Sequence, residues 1–260
     1  MWMPPRAIMQ APVLMRLLPS LFRRYAKAFK WRFTVEKRMG ALFLIDQLNL
    51  VDKNLLIRGA WDREQVERFF ALAERHFPRA KGPRQFWDIG AHGALYAILF
   101  AGSARPDDRI DAVECDPVNR AQLMGNLFVN GLVTRVSVHP FAVSDAAGSF
   151  ALNIAPDTNR GGSRLDTDHV EGFAGTCMVQ AKRMDDLWDG FAAPIIAKID
   201  VEGHEEKVLR GMETMLAACP ALIQIEIFPE SIAKVTAQLE ALGFSHLSSF
   251  NDDHYFLKAA

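Results

Sequence analysis

The stretch that decides the fold is residues 86–96, Phe86-Trp87-Asp88-Ile89-Gly90-Ala91-His92-Gly93-Ala94-Leu95-Tyr96. It opens with a short apolar run that ends in an acid, continues through two glycines, and then begins a helical apolar pattern. This is the order of a strand, a tight turn and a helix. Because glycine has no Cβ, the backbone of such a turn can approach a ligand closely. The stretch therefore predicts a β-turn-α unit with a ligand at the turn.

The rest of the chain repeats this alternation. Short apolar runs predict strands over residues 85–89, 109–114, 135–139, 195–200 and 222–227. Helical patterns follow over residues 94–101, 117–129, 205–218 and 231–242. Strands that alternate with helices are typical of an α/β fold with a doubly wound, mostly parallel sheet of the Rossmann-like kind. Residues 244–247 and 254–257 predict a closing antiparallel pair, joined across residues 251–253. The run 251–254 is interpreted as a solvated turn rather than a metal site.

An acid at the end of the second strand narrows the choice of ligand. Glu114 stands where a carboxylate can accept hydrogen bonds from the ribose hydroxyls of an adenosine cofactor. The nicotinamide fingerprint Gly-x-Gly-x-x-Gly fits poorly, because His92 and Leu95 replace its second and third glycines. Asp88, two residues before the first glycine, would repel a pyrophosphate but orient a cation. S-adenosylmethionine is therefore the predicted cofactor, and a nicotinamide-dependent oxidoreductase is the alternative.

Several motifs together resemble the FkbM-type methyltransferases. The resemblance extends from about Phe86 to Phe256, and its most specific part is residues 198–205, Lys198-Ile199-Asp200-Val201-Glu202-Gly203-His204-Glu205. The other motifs are Asp88-Ile89-Gly90-Ala91 with Tyr96, Glu114 with Asp116-Pro117 and Asn126, Ala142-Val143-Ser144-Asp145, Met184-Asp185-Asp186-Leu187, and Val208-Leu209-Arg210-Gly211.

This resemblance implies a class I methyltransferase fold that transfers a methyl group from S-adenosylmethionine to a hydroxyl of a sugar, glycolipid or secondary metabolite. The cofactor-binding residues that it implies, together with the turn, are Asp88, Gly90, Ala91, His92, Ala94, Glu114, Phe141 and Ala142. His92 and Ala94 stand where the family usually has Asn and Gly. A catalytically inactive, membrane-associated binding module is therefore a second alternative. No metal is expected.

The reacting end is predicted at the fourth strand. Asp200 ends that strand and Glu202 follows in the turn, so both should reach the crevice at the carboxyl edge of the sheet. Methyl transfer to a hydroxyl requires a group that accepts the proton. Asp200 or Glu202 is the predicted proton acceptor or acceptor-orienting group, and His204 is a second candidate base. The long connection over residues 149–183 is expected to contact the acceptor, which is a small molecule or a glycan.

The N-terminal region differs in charge from the rest of the chain. Of the 260 residues, the first 40 hold nine basic groups and one acid, a net charge of +8 in a chain of net −1. Apolar residues at helical spacing over 14–29 predict a basic amphipathic helix. It would pack on the domain or on a second subunit in a homodimer, or contact an anionic membrane through residues 14–30. We therefore divide the chain into a helical accessory segment, 1–80, and a methyltransferase domain, 81–260.

Composition limits the compartment and the partners. The best apolar stretch, residues 7–22, is interrupted by Pro12, Arg16 and Pro19, so neither a transmembrane helix nor a cleaved signal is expected. The three cysteines are far apart and form no Cys-x-x-Cys pair. A cytoplasmic protein is the simplest interpretation, and the basic helix would make it peripheral to the membrane if it binds lipid. No nucleic-acid-reading motif is present, so no nucleic acid is expected as a partner.

Overall fold

The structure, a computed structural model, describes residues 32–165 and 171–259. The predicted basic helix over residues 14–29 lies outside these residues. The expected membrane contact through residues 14–30 and the homodimer that this helix would form therefore stay predictions.

The described part of the chain begins with a β-hairpin. Strand β1 (Phe33–Arg38) pairs antiparallel with β2 (Ala41–Asp46). Met39 and Gly40 connect the two strands at φ values of 48° and 90°, the sign that a two-residue hairpin turn requires. The prediction of a helical segment over 1–80 is therefore wrong for residues 33–46. The physical reason is their period of two, which buries Phe43 and Ile45 on one face of the hairpin.

Two helices follow the hairpin and share its core. Helix α1 (Leu50–Arg58) begins at Asn49, whose side chain accepts from the backbone of Val51 at 3.0 Å. Helix α2 (Arg63–His76) buries apolar residues at helical spacing. Side chains of the hairpin and of both helices pack in one buried cluster with the first strand of the central sheet, at Phe86. Within the described residues, the expected boundary at residue 80 therefore does not separate two cores.

The predicted mostly parallel sheet is confirmed. In the part of the chain that the structure describes, it has seven strands: β3 (Gln85–Ile89), β4 (Arg109–Val113), β5 (Ser137–His139), β10 (Ile195–Ile199), β11 (Ala221–Glu226), β12 (Ser245–Phe250) and β13 (Asp253–Lys258). Their order is β12-β13-β11-β10-β3-β4-β5, in which β13 is antiparallel to both of its neighbours. The predicted closing antiparallel pair is thus β12 and β13.

Helices cover both faces of this sheet. Helices α3 (Leu95–Ala101) and α4 (Pro117–Val129) share a core with α1 and α2. Helices α5 (Glu205–Gly211), α6 (Glu213–Ala218) and α7 (Ile232–Ala241) pack on the other face. The predicted helix over 205–218 is two helices, because the chain leaves helical geometry at Met212. There Gly211 lies so close to Ser144 that a Cβ would stand 2.1 Å from its carbonyl oxygen.

The connection over residues 149–183 is mainly a second, smaller sheet. Its strands there are β7 (Gly148–Ile154), β8 (Arg164–Leu165) and β9 (Gly175–Lys182), and β6 (Ala142–Val143), which precedes the connection, completes the sheet in the order β6-β9-β7-β8. The sequence predicted only a long connection here. Among the described residues, no helix is long and apolar enough to cross a membrane.

Candidate active site

A cavity of about 360 Å³ lies at the carboxyl ends of β3, β4, β10 and β11. Ligands of doubly wound sheets bind at this edge. The predicted site residues that line the cavity are Asp88, Gly90, Ala91, His92, Glu114, Phe141, Ala142, Asp200, Glu202 and His204. Ala94 is fully buried beside the turn and is not part of the cavity wall. The fold thus brings both predicted groups of residues together, and their individual roles stay predictions.

Gly90 lines the cavity where the backbones that follow the two central strands, β3 and β10, approach each other. Its φ is +78°, and a Cβ built on it would stand 1.7 Å from the carbonyl oxygen of Asp200. The amide of Asp200 in turn donates to the carbonyl of Ile89 at 2.9 Å. Only glycine can adopt this conformation and allow this approach of two backbones. Gly90 is therefore required for the shape of the site.

Asp88 is a buried acid directly below the turn. Its Oδ2 accepts from the backbone amide of Ala97 in the first turn of α3 at 2.9 Å. Burial raises the pKa of Asp88 to about 7, although the bond from Ala97 and the charge of Lys198 act in the opposite direction. Asp88 thus ties the end of β3 to the start of α3, and a cation bound nearby would favour its ionised form.

Glu114 has its carboxylate fixed by two backbone amides. Oε2 accepts from His92 at 2.8 Å, and Oε1 accepts from Asp116 at 2.7 Å. Burial nevertheless raises the pKa of Glu114 to about 7. Each carboxylate oxygen has two acceptor positions, so one on each oxygen remains for a ligand hydroxyl. This geometry fits the predicted contact with a ribose.

Two residues of the turn have unusual backbone conformations. His92 has a φ of 47° and Ala94, the residue before α3, a φ of 61°. Such values are uncommon for residues with a Cβ. Burial lowers the pKa of the His92 imidazole to about 4, so the ring is neutral at pH 7. Its Nε2 is buried without a hydrogen-bond partner among the described residues, and His92 is one of the residues that line the cavity.

Replacing Ala94 with glycine should stabilise the protein. The left-handed conformation costs an L-residue roughly 1–2 kcal/mol, and the added chain entropy of glycine in the unfolded state offsets about 0.4–1 kcal/mol of this. We expect Ala94→Gly to raise the free energy of unfolding in urea by about 0.5–1 kcal/mol. Ala91→Gly is the matched control, because Ala91 lies in the same turn without a positive φ and should lose stability. Equal losses in both variants would contradict the strain at Ala94.

A row of polar residues crosses the sheet next to the turn. Asp88, Lys198 and Gln224 are paired in register on β3, β10 and β11, so their side chains point to the same face. Lys198 Nζ lies 3.0 Å from Asp253 Oδ1 and 3.6 Å from Asp200 Oδ2. Burial would lower the pKa of Lys198, but the charges of Asp200 and Asp253 outweigh it and raise the pKa well above its ordinary value.

Further carboxylates line this end of the cavity. Burial, followed by the charge of Asp200, raises the pKa of Glu202 to about 7. Glu202 has a φ of 53°, and its Oε2 lies 3.3 Å from Nη2 of Arg164. The charge of Asp200 is also the first cause that raises the pKa of Glu226, to about 8. This end of the cavity therefore holds groups that can accept a proton near neutral pH.

His204 is less suited to the role of base. It precedes α5, is mostly buried, and its Nε2 lies 3.0 Å from the hydroxyl of Ser144. Ser144 follows β6, and its amide donates to the carbonyl of Lys182 at 3.0 Å. The ring is thus engaged with the second sheet, and it can orient the turn after β10.

Two parts of the cavity lining were not predicted from the sequence: Asp253, and a set of residues before residue 80. Asp253, in the turn interpreted as solvated, is 6% exposed, because it lies at the start of β13 beside Lys198. That expectation is therefore wrong for Asp253. The second group comes from the segment before residue 80: Phe43, Leu50, Val51, Asp52, Leu55, Trp61, Asp62 and Gln65. No local motif in the sequence marks these residues as part of a site. On the two helices, the only indication is the apolar spacing.

The sequence from residue 88 to residue 245, more than half of the chain, matches the Methyltransferase FkbM domain. A comparison with curated proteins finds no match. The solved structure of the methyltransferase FkbM from Methylobacillus flagellatus KT is 14% identical over 93% of this chain and 60% of its own, with a TM-score of 0.47. This chain thus spans less than two thirds of that protein's length.

Two further solved structures have comparable sequence identities to this chain. The human methyltransferase 10 domain containing protein is 12% identical, with a TM-score of 0.50 over 92% of this chain and 95% of its own. TYW2 of P. horikoshii, solved in complex with MeSAdo, is 11% identical over 95% of this chain and 83% of its own, with a TM-score of 0.44. At such identities, structural likeness concerns the fold alone. The match over residues 88–245 shows the family: the chain belongs to the FkbM methyltransferases, whose methyl donor is S-adenosylmethionine.

Proposed function

We propose that this methyltransferase methylates a hydroxyl oxygen of a sugar, glycolipid or secondary metabolite. The observation that carries the proposal is one continuous cavity with two chemically different ends. Glu114, held by two backbone amides, lies at one end. Asp200 and Glu202 lie at the other, and Gly90 stands between them. A donor and an acceptor can therefore meet above the glycine turn.

The residues at the first end fit the cofactor. Glu114 has free acceptor positions for the ribose hydroxyls, and the unpaired Nε2 of His92 is a further polar contact. Asp88 and the carboxylates beyond the turn give this region a negative potential that suits a cation. When bound there, S-adenosylmethionine would supply a methyl group already activated by its sulfonium.

The residues at the second end would handle the proton of the acceptor. Glu202 is the proposed proton acceptor, because its carboxylate faces the cavity with a pKa of about 7. Asp200, held by Lys198 at 3.6 Å, would orient the acceptor hydroxyl. A base with a pKa near the working pH combines a useful ionised fraction with sufficient basicity. The lining carboxylates outnumber the cations, so an uncharged hydroxyl acceptor fits better than an anionic one.

Acceptors on a membrane belong to the proposed class. A lipid-linked sugar would explain the basic composition of residues 1–40, because basic residues are attracted to anionic lipids. If the full chain does not cosediment with anionic vesicles, this part of the proposal is wrong.

Calorimetric titration of S-adenosylmethionine into the full chain tests the cofactor step. We expect a dissociation constant of about micromolar order, and a loss of affinity of about tenfold or more in Glu114→Gln. Charged hydrogen bonds contribute roughly 1.5–3 kcal/mol, and the new amide would place an NH₂ group against a backbone donor. Asp111→Asn is the matched control, because Asp111 lies on β4 just before Glu114, pairs with His139 at 2.7 Å and does not line the cavity.

Two results of this titration would count against the proposal. If the wild-type chain does not bind S-adenosylmethionine, the proposed function is wrong. If Glu114→Gln binds as tightly as Asp111→Asn, Glu114 does not hold the cofactor. The acceptor is then sought by following the release of S-adenosylhomocysteine with sets of hydroxyl compounds.

A further inference from the structure

A loop from the second sheet forms one wall of the cavity. This loop, residues 155–163 between β7 and β8, contributes Asn159, Gly161 and Ser163 to the lining. Ser163 Oγ donates to Asp116 Oδ2 at 3.0 Å, two residues after Glu114. The loop therefore stands next to the end of the cavity that the cofactor would occupy. We call it the cavity loop.

The cavity loop is anchored by an arginine that does not line the cavity. Arg160 is 3% exposed and is not part of the lining. Its Nη1 donates to Asp46 Oδ2 and its Nη2 to Gln122 Oε1, both at 2.6 Å. Its carbonyl accepts from Asn119 Nδ2 at 3.1 Å. One residue thus connects the loop to the hairpin and to α4.

Asp46, the carboxylate that pairs with Arg160, is held in its ionised form. Asp46 is fully buried on β2, and Arg32 also donates to it, with Nη2 at 2.7 Å from Oδ2. Burial acts to raise the pKa of Asp46, but hydrogen bonds from Arg32, the Leu48 amide and Arg160 outweigh it and lower the pKa. Asp46 is therefore ionised at neutral pH. Asp46→Asn would leave the buried guanidinium of Arg160 without this carboxylate, whereas loss of Arg160 would leave Asp46 paired with Arg32.

We propose that Arg160 is a positioning residue for cofactor binding, and that its ion pair with Asp46 holds the cavity loop as the wall beside Glu114. The inference rests on the proposed use of the cavity for S-adenosylmethionine. It goes beyond that use, because Asp46 lies outside the region, residues 88–245, that matches the family. The hairpin, which contributes no predicted site residue, thereby becomes a determinant of cofactor affinity.

The test compares two buried arginines in the full chain. Arg84 is the matched control: it is 4% exposed, its Nη2 lies 3.2 Å from the buried Asp108, and it does not line the cavity. Thermal unfolding and calorimetric titration of S-adenosylmethionine are measured for Arg160→Met, Arg160→Lys, Asp46→Asn and Arg84→Met. The Kd below the unfolding transition separates positioning from stability.

We expect Arg160→Met to raise the Kd for S-adenosylmethionine by about tenfold or more. This is the effect expected if the cavity loop of the variant occupies its observed position for only about a tenth of the time. The apparent Kd scales inversely with the fraction of molecules that can bind the cofactor. Asp46→Asn should act in the same direction, and Arg160→Lys should restore part of the affinity. Arg84→Met should lower the Tm and leave the Kd unchanged.

Four outcomes would overturn the inference. A lower Tm with a wild-type Kd in Arg160→Met would mean that the ion pair only stabilises the fold. Binding weakened as much in Arg84→Met as in Arg160→Met would indicate general loosening. If Arg160→Met does not fold, wild-type affinities in both Arg160→Lys and Asp46→Asn would overturn it. A wild-type chain that does not bind the cofactor would overturn the proposed function itself, and this inference with it.

Discussion

Gly90→Ala is expected to abolish binding of S-adenosylmethionine and to lower the free energy of unfolding by about 3 kcal/mol or more. Two costs add at this position. A Cβ would stand 1.7 Å from the carbonyl oxygen of Asp200, and the φ of +78° disfavours any L-residue. Neither backbone can yield without separating β3 from β10, since the amide of Asp200 donates to Ile89 at 2.9 Å. Urea unfolding and calorimetric titration measure both effects.

Gly131→Ala separates the two costs at Gly90. Gly131, just after α4, has a φ of +69°, and a Cβ at this position would have no neighbouring atom within 4 Å. Alanine there therefore meets only the conformational cost, which is roughly 1–2 kcal/mol, and cofactor affinity should not change. If Gly90→Ala loses no more stability than Gly131→Ala and keeps its affinity, the close approach of the two strands does not shape the site.

The sequence predicted those parts of the fold in which a short stretch of residues is compatible with only one kind of local structure. The run Ile195-Ile196-Ala197 is apolar on both faces, as expected for a central parallel strand covered by helices on both sides. The order of strand, Gly90 turn and helix is equally local. Because parallel strands end at one edge, these runs also predicted that Asp88, Glu114 and Asp200 would meet, as they do around the cavity.

The parts that the sequence did not predict depend on pairings between distant residues. Asn251-Asp252-Asp253 has the composition of a solvated turn, and only Lys198, far away in the chain, explains why Asp253 is buried. The hairpin lies within residues 1–80, which were predicted to form a helical accessory segment. The alternation that buries Phe43 is short, and the surface on α1 and α4 against which the hairpin packs becomes visible only in the fold.

Glu202→Gln is expected to lower kcat for methyl transfer to a hydroxyl by about 10²- to 10⁴-fold, the usual contribution of a general base. The cofactor Kd should stay near its wild-type value, because Glu202 lies at the acceptor end. Glu206→Gln is the matched control: Glu206 is on α5, pairs with Arg210 at 3.4 Å and does not line the cavity. A wild-type kcat in Glu202→Gln would exclude it as the proton acceptor.

The pH dependence identifies the group more sharply than the rate does. Only the ionised carboxylate can accept a proton, and burial together with the charge of Asp200 holds the pKa of Glu202 at about 7. Activity should therefore rise with pH through about 7 in the wild-type chain and lose this dependence in Glu202→Gln. Asp200→Asn removes the charge that disfavours ionisation, so its remaining activity should rise at a lower pH than in the wild type. If the activity of Asp200→Asn rises at the same pH as that of the wild type, a group other than Glu202 accepts the proton. That group could not be Glu226 either, because the charge of Asp200 also raises the pKa of Glu226.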